Sequence, residues 1–305
     1  MKQIITSTIS EKDLCIKKII RELAPDSPSD EKIIASQRAG VIEKSQTQLV
    51  QELLAVQDLV SEYGFALLKG INFAKLDEKN RKNLLLGISN LLGKPTYTDQ
   101  VQKSVIRDIA PRKNSENKRA TISEISGEAE FHTDSQYLPL PEKFFILACQ
   151  TPAVWGGDSL LLDGKKLIND LREDSEQFYE DLQNEQFTFL VPTSFTKTGD
   201  NRSLELLRAP IVSEEIPIRY REDTIRNAQQ LVPTLFTDKH EKILQQLKQK
   251  IQESEKLQLR LEKNDILVVD NHRFLHGRTD FSDAQRLLYR IRMNPKSNAQ
   301  SSQKI

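Results

Sequence analysis

The chain has 305 residues, 37% of them hydrophobic and 29% charged, which suits a soluble globular protein with a sizeable core. Lysine plus arginine and aspartate plus glutamate come to 44 each, a balance that gives no sign of nucleic acid or an acidic membrane surface as a partner. No apolar run is long enough to cross a bilayer, the start reaches Glu11-Lys12-Asp13 without the apolar core of a signal peptide, and two cysteines make no disulfide framework, so a reduced, cytoplasmic setting is expected.

In chain order, Ser10 to Asp13 reads as a helix start and Ala24 to Asp30, rich in Pro, Ser and Asp, as a loop. Residues 46–62 carry Leu49, Val50, Leu53, Leu54, Val56, Leu59 and Val60 near a 3.6 period, which predicts an amphipathic helix. It leads through Tyr63-Gly64 into a short strand from Phe65 to Gly70. A second helix is predicted over 77–92, ending near Gly93-Lys94-Pro95. Residues 111–118 hold no apolar side chain and read as a mobile surface loop.

Next comes Phe131-His132-Thr133-Asp134-Ser135-Gln136-Tyr137. On an extended strand, positions i and i+2 share a face, so the imidazole and the carboxylate can reach one metal ion. The apolar run Phe144 to Cys149, bounded by prolines, predicts a strand buried on both faces, with Cys149 as a buried thiol. Trp155-Gly156-Gly157-Asp158 reads as a turn into a strand at Ser159 to Leu162. A helix is expected over 165–184, strands at Phe187–Val191 and Ile216–Tyr220, and a helix over 238–255 with His240 as a surface residue near its start. Further strands are expected at Leu257–Leu261, Ile266–Val269 and Leu287–Met293, and the tail from Asn294 is expected to fray.

Strands at both ends of the core with helices between them suggest an α+β protein. Its core is a double-stranded β-helix, or jelly roll, with N-terminal helices and a helical insertion between core strands at about 165–255. The expectation is one domain over 1–305, with its core at about 45–293.

An H-x-D triplet alone is a weak signal, and a strand with two surface polar groups explains it as well. Here it directly precedes a strongly apolar strand. Of the four histidines, His272 and His276 follow another such strand, Ile266 to Val269. Pairing the two strand ends in one barrel gives two imidazoles and one carboxylate on one face of a metal, a set that leaves positions open and suits non-haem iron(II). Parity on one strand does not choose between His272 and His276. Gly277 favours His276, because glycine allows close backbone approach. Arg286 and Arg290 lie ten and fourteen residues after His276 and in a strand share a face. Two arginines in an apolar strand suggest carboxylate ligands, since an unpaired interior charge is expensive and a guanidinium pairs a carboxylate through two hydrogen bonds. Arg292, taken to lie on the alternate face, is expected in a surface ion pair.

In order and spacing, His132-Thr133-Asp134, Gly156-Gly157-Asp158-Ser159, Asp270-Asn271 through Leu275-His276-Gly277-Arg278, and Arg286-Leu287-Leu288-Tyr289-Arg290 resemble the taurine dioxygenase (TauD/TfdA) family. These are clavaminate synthase-like oxygenases dependent on Fe(II) and 2-oxoglutarate, and the likeness in layout spans roughly residues 45–293. The resemblance implies His132, Asp134 and His276 as iron ligands. Arg286 would clamp the distal carboxylate of 2-oxoglutarate, aided by Ser159 where the family usually has threonine. Arg290 would contact an acidic group of the substrate. His272 stands where the family often has arginine. Gln136 and Tyr137 either line the substrate pocket or serve as core.

The implied reaction consumes 2-oxoglutarate and O2, releases succinate and CO2, and oxidises a substrate C–H bond. Related halogenases lack the carboxylate ligand, so Asp134 implies hydroxylation or desaturation. The expected substrate is a small carboxylate-bearing molecule such as an amino acid or natural-product acid, and a homo-oligomer is possible. A zinc-dependent hydrolase would explain the triad but not Arg286 or Ser159. A non-catalytic jelly-roll binding protein would not need the ligand set.

Overall fold

The computed structural model describes residues 4–6, 48–98, 104–111, 126–192, 195 and 205–296. The expected helix start at Ser10, the 24–30 loop, nearly all of the 111–118 loop and the end of the tail lie outside these. The elements are β1 (Ile4–Thr6), α1 (Gln48–Tyr63), β2 (Phe65–Lys69), α2 (Glu78–Leu92), β3 (Lys94–Pro95), β4 (Ile106–Ile109), β5 (Ala129–His132), β6 (Phe144–Thr151) and β7 (Ser159–Asp163). They continue with α3 (Gly164–Asp174), α4 (Glu176–Asn184), β8 (Phe187–Leu190), β9 (Leu206–Ala209), α5 (Glu222–Leu231), α6 (Asp238–Glu253), β10 (Leu257–Leu259), β11 (Ile266–Asp270), β12 (Phe274–Arg278) and β13 (Leu287–Asn294).

Two mostly antiparallel sheets face each other. The larger has the order β1-β2-β11-β6-β13-β3, with β4 also on β13; the smaller runs β10-β7-β12-β5. This is the jelly-roll arrangement, with α1 and α2 on the outer face of the larger sheet. The alternation of side chains explains the sorting. Ala66, Leu68, Ile146, Ala148, Ile266, Val268 and Ile291 turn outward to meet Leu53, Val56, Leu84 and Ile88 of the helices. Their neighbours Leu67, Phe145, Cys149, Leu267, Val269 and Leu288 turn inward and meet Leu161 and Phe274 of the smaller sheet. β11 and β6 are thus apolar on both faces because each face has its own core. A third core, on the far side of the smaller sheet, packs Leu162 and Leu275 against the insertion through Leu171, Leu182, Phe189, Ile218 and Leu247. None of the described helices is long and apolar enough to cross a membrane.

Three sequence expectations change. The helix over 165–184 is two helices. Ser175 breaks them, its N–H bonding Leu171 O and its Oγ accepting Phe178 N–H. Among the described residues Ile216–Tyr220 has no ladder partner, and β8 pairs with β9 instead. The 216–220 alternation is real, since Ile216, Ile218 and Tyr220 are buried, but the segment's polar groups bond to a turn and to Ile211. His240 is buried, not on the surface. Its Nδ1 accepts from Thr237 N–H in a capping box at the start of α6, and its ring meets Phe187 edge-on at 5.0 Å.

Candidate metal centre

β12 pairs with β5 in a register that sets His276 directly opposite His132, with ring centroids 4.3 Å apart. Gly277 makes that approach possible. A Cβ there would lie 2.8 Å from Ala129 O and force β5 away. His272 lies in the turn between β11 and β12, not on a strand with His276, and its Nε2 is 3.0 Å from Pro141 O.

Asp134 reaches the pair by a route other than the one expected. β5 ends at His132, and the chain then turns through Asp134–Tyr137, with Ser135 at φ 56 in the left-handed region. The same-face strand argument therefore fails, yet the side chains converge. Asp134 Oδ1 lies 4.0 Å from His132 Nε2 and 3.9 Å from His276 Nε2, and one ligand atom from each residue falls within 4.8 Å of the others. All three residues are buried.

The donor set fits a metal ion. His132 Nδ1 is 2.8 Å from Glu130 O, which sets that nitrogen as the N–H donor and leaves Nε2 as a lone pair facing Asp134. Among the described residues Asp134 Oδ2 is buried without a hydrogen-bond partner, an orphan acceptor that a cation would satisfy. Burial, with Arg221 adding to it, lowers the His132 pKa to about 4, and burial with His132 puts His276 well below its ordinary value, so both imidazoles are neutral near pH 7. Burial pushes the Asp134 carboxyl up, but the Arg290 guanidinium, joined by Arg292, outweighs it and holds it below the usual range. Two neutral imidazoles and a carboxylate match the set that binds iron(II) with positions to spare.

One consequence is measurable without metal. The unfolded chain takes up the His132 proton near pH 6.5, but the folded protein resists it down to about 4. Folding stability of the metal-free protein is therefore present above about pH 6.5 and is lost as pH falls to 4, with a ceiling of about 3 kcal/mol from His132 alone. Denaturant titrations of EDTA-treated protein across that window test the sign, and a flat profile would reject it.

Arg290 donates from Nη1 to Asp134 Oδ1 at 2.9 Å, and its buried Nε has no partner among the described residues. Burial lowers the guanidinium to about 10 despite that carboxylate, so it stays charged at neutral pH. Arg286 precedes β13, and a register shift at Leu287/Leu288 breaks the plain alternation expected between Arg286 and Arg290. Its Nη2 donates to Gly157 O at 3.2 Å, its buried Nη1 has no partner among the described residues, and the group stacks 4.8 Å from the Phe281 ring. It lines a narrow cleft of about 10 Å³, room for little more than a water molecule, with Cys149, Gly157, Leu288 and Arg260. Ser159 is buried opposite Arg278 on the β7–β12 ladder.

Gln136 is fully buried and donates from Nε2 to Thr224 Oγ1 at 3.0 Å; Tyr137 packs on Phe195 at 5.1 Å. Arg292 is not in a surface pair. It shares parity with Arg290, is buried, donates to Ser135 Oγ and Thr98 O, and lies 3.7 Å from Glu142. Sequence reasoning also passed over Asn271. Its Oδ1 accepts Asp134 N–H at 2.7 Å and its Nδ2 donates to Asp134 O at 3.0 Å, so it clamps the ligand's own peptide. A short amide beside the histidine pair was the available signal.

The model of the taurine catabolism dioxygenase TauD, TfdA family matches residues 27–292. Among solved structures, asparagine oxygenase in complex with Fe(II), 2S,3S-3-hydroxyasparagine and succinate is 18% identical, with a TM-score of 0.70 over 96% of this chain and 93% of that one. The non-heme iron oxygenase OrfP in complex with Fe, succinate, and (3R,4R)-dihydroxy-L-Arg is 16% identical, with a TM-score of 0.69 over 98% of each chain. OrfP in complex with Fe and alpha-ketoglutaric acid is 16% identical, with a TM-score of 0.64 over 96% and 95%. These likenesses establish a shared fold. No curated protein sequence matches the chain.

Proposed function

Because this chain belongs to the taurine catabolism dioxygenase TauD, TfdA family, we propose that it is an Fe(II)- and 2-oxoglutarate-dependent oxygenase that hydroxylates or desaturates a C–H bond of a small carboxylate-bearing substrate. The observation that carries this reading is the convergence of His132, Asp134 and His276, whose ligand atoms lie within 4.8 Å of one another. Iron in such a site supplies the redox chemistry that couples decarboxylation of 2-oxoglutarate to oxidation of the substrate by O2. The three residues hold the ion, and Asp134 as a ligand favours oxygen transfer or desaturation over halogenation.

Arg286 binds the distal carboxylate of 2-oxoglutarate. Its place on the cleft, with Nη1 lacking a partner among the described residues, supports this role, because a buried guanidinium stabilises an anion through charge-assisted hydrogen bonds. Ser159 offers a hydroxyl on the same side of the smaller sheet as His276 and Arg278. Arg290 receives the substrate's acidic group. Among the described residues its carboxylate partner is the ligand Asp134 and its buried Nε has none. Tyr137 is buried at the end of the Asp134 turn and packs on Phe195, which suits a pocket wall. Gln136 is tied to Thr224 through Nε2, which supports the turn, while its buried Oε1 has no partner among the described residues.

The asparagine oxygenase and OrfP structures hold hydroxylated amino acids and succinate, and an amino acid or natural-product acid is the substrate class proposed here. The chain acts as one domain over 1–305, in the cytoplasm, without nucleic acid or membrane as partner, alone or as a homo-oligomer. The insertion closes over the site to exclude water. Anaerobic addition of Fe(II) and then 2-oxoglutarate is expected to give a visible metal-to-ligand charge-transfer band. A screen of amino acids is expected to yield succinate above background with at least one. Absence of the band would sink the reading and favour a zinc hydrolase or a binding protein.

A further inference from the structure

Asp134 sits on a turn whose backbone includes a left-handed serine, and such a conformation persists only where its surroundings over-determine it. Arg219 supplies much of that determination. It is 4% exposed, and its described partners are all carbonyls: Nη1 donates to Gln136 O at 2.5 Å and Leu138 O at 2.6 Å, and Nη2 to Pro139 O at 2.8 Å. A buried guanidinium in an ion pair is ordinary. One spent on three carbonyls of a single turn is not, because burial is then not offset by a carboxylate and lowers the group to about 10. The adjacent Tyr220 exchanges backbone bonds with the same turn: Thr133 N–H donates to Tyr220 O at 2.8 Å, and Tyr220 N–H to Thr133 Oγ1 at 3.1 Å. The residues bonded this way, Thr133 and Gln136–Pro139, bracket Asp134 and Ser135.

We propose that Arg219, carried by the insertion, is a positioning residue that fixes the Asp134 carboxylate for the metal. The proposal rests on His132, Asp134 and His276 being the ligands. The guanidinium fork gathers carbonyls from both ends of the Gln136–Pro139 stretch, which a lysine ammonium on a flexible stem does not. Arg219 touches no reacting atom, and its influence passes through the turn to the ligand, as groups behind metal ligands commonly act.

The test is Co(II) binding to the full-length, EDTA-treated protein, followed by visible absorption. Arg219→Met is expected to weaken Co(II) binding by about tenfold to a hundredfold, the usual cost of removing a group behind a ligand, and to shift the Co(II) band. Arg219→Lys is expected to fall between Arg219→Met and the parent. Asp134→Ala serves as the control and is expected to lose the site. A folded Arg219→Met with parental affinity and spectrum would overturn the proposal, even if it melts lower. If Arg219→Met does not fold, Arg219→Lys decides, and parental affinity there overturns it equally. Parental binding by Asp134→Ala would instead reject the ligand assignment.

Discussion

Replacing Asp134 with alanine is expected to remove the charge-transfer band and to cut succinate formation by more than about 100-fold. Groups that merely support a ligand commonly cost 10- to 100-fold in metal affinity, so the ligand itself should cost more. The same substitution should also weaken the protein before any metal is added. Arg290 is buried beside Asp134 and donates to it at 2.9 Å. Deleting one member of a buried ion pair strands the other, at about 3–5 kcal/mol. Thermal melting of the EDTA-treated variant and a coupled succinate assay therefore report two separate losses. Unchanged 2-oxoglutarate turnover would place the metal elsewhere.

Arg286→Leu is expected to behave in the opposite way with respect to stability. In the absence of cosubstrate its guanidinium is a liability, since Nη1 has no partner and Arg278 is a like charge nearby. Leucine removes that cost, so the melting temperature should hold or rise. The KM for 2-oxoglutarate should climb by at least about 30-fold, because removing one side of a buried charge pair costs about 2–5 kcal/mol and each 1.4 kcal/mol is a factor of ten. Arg286→Lys should recover part of the loss. A KM unaffected by leucine would assign the distal carboxylate to another cation.

Much of this was legible from periodicity. β6 read as a strand buried on both faces, β11 as an apolar strand, and α1 as an amphipathic helix, because apolar spacing and run length decide those assignments; α2 and α6 also read as helices. The choice of His276 rested on Gly277, and the clearance to Ala129 O shows why glycine stands there. What was hidden depends on tertiary partners. Ile216–Tyr220 has a strand's alternation, but its backbone bonds to the Asp134 turn, and no local signal distinguishes the two. Asp134 looked like a strand residue because H-x-D spacing is the same in a turn. Arg292 and His240 were read as exposed because their partners, Ser135 and Glu142 for one and Thr237 and Phe187 for the other, come from other segments or from a cap. Arg290's bond to Asp134 links positions 156 residues apart, beyond the reach of any spacing argument.

β5 has four residues, ends the smaller sheet and pairs with β12 alone among the described strands. It carries His132, while His276 comes from the strand it leans on. An ion held by both is a reversible cross-link between a short outer strand and the interior of its sheet. Chelation would then act mechanically as well as chemically: the wall beside the reacting centre is stiffest when the protein is loaded and slackest when it is empty, so exchange of its backbone amides tracks metal occupancy.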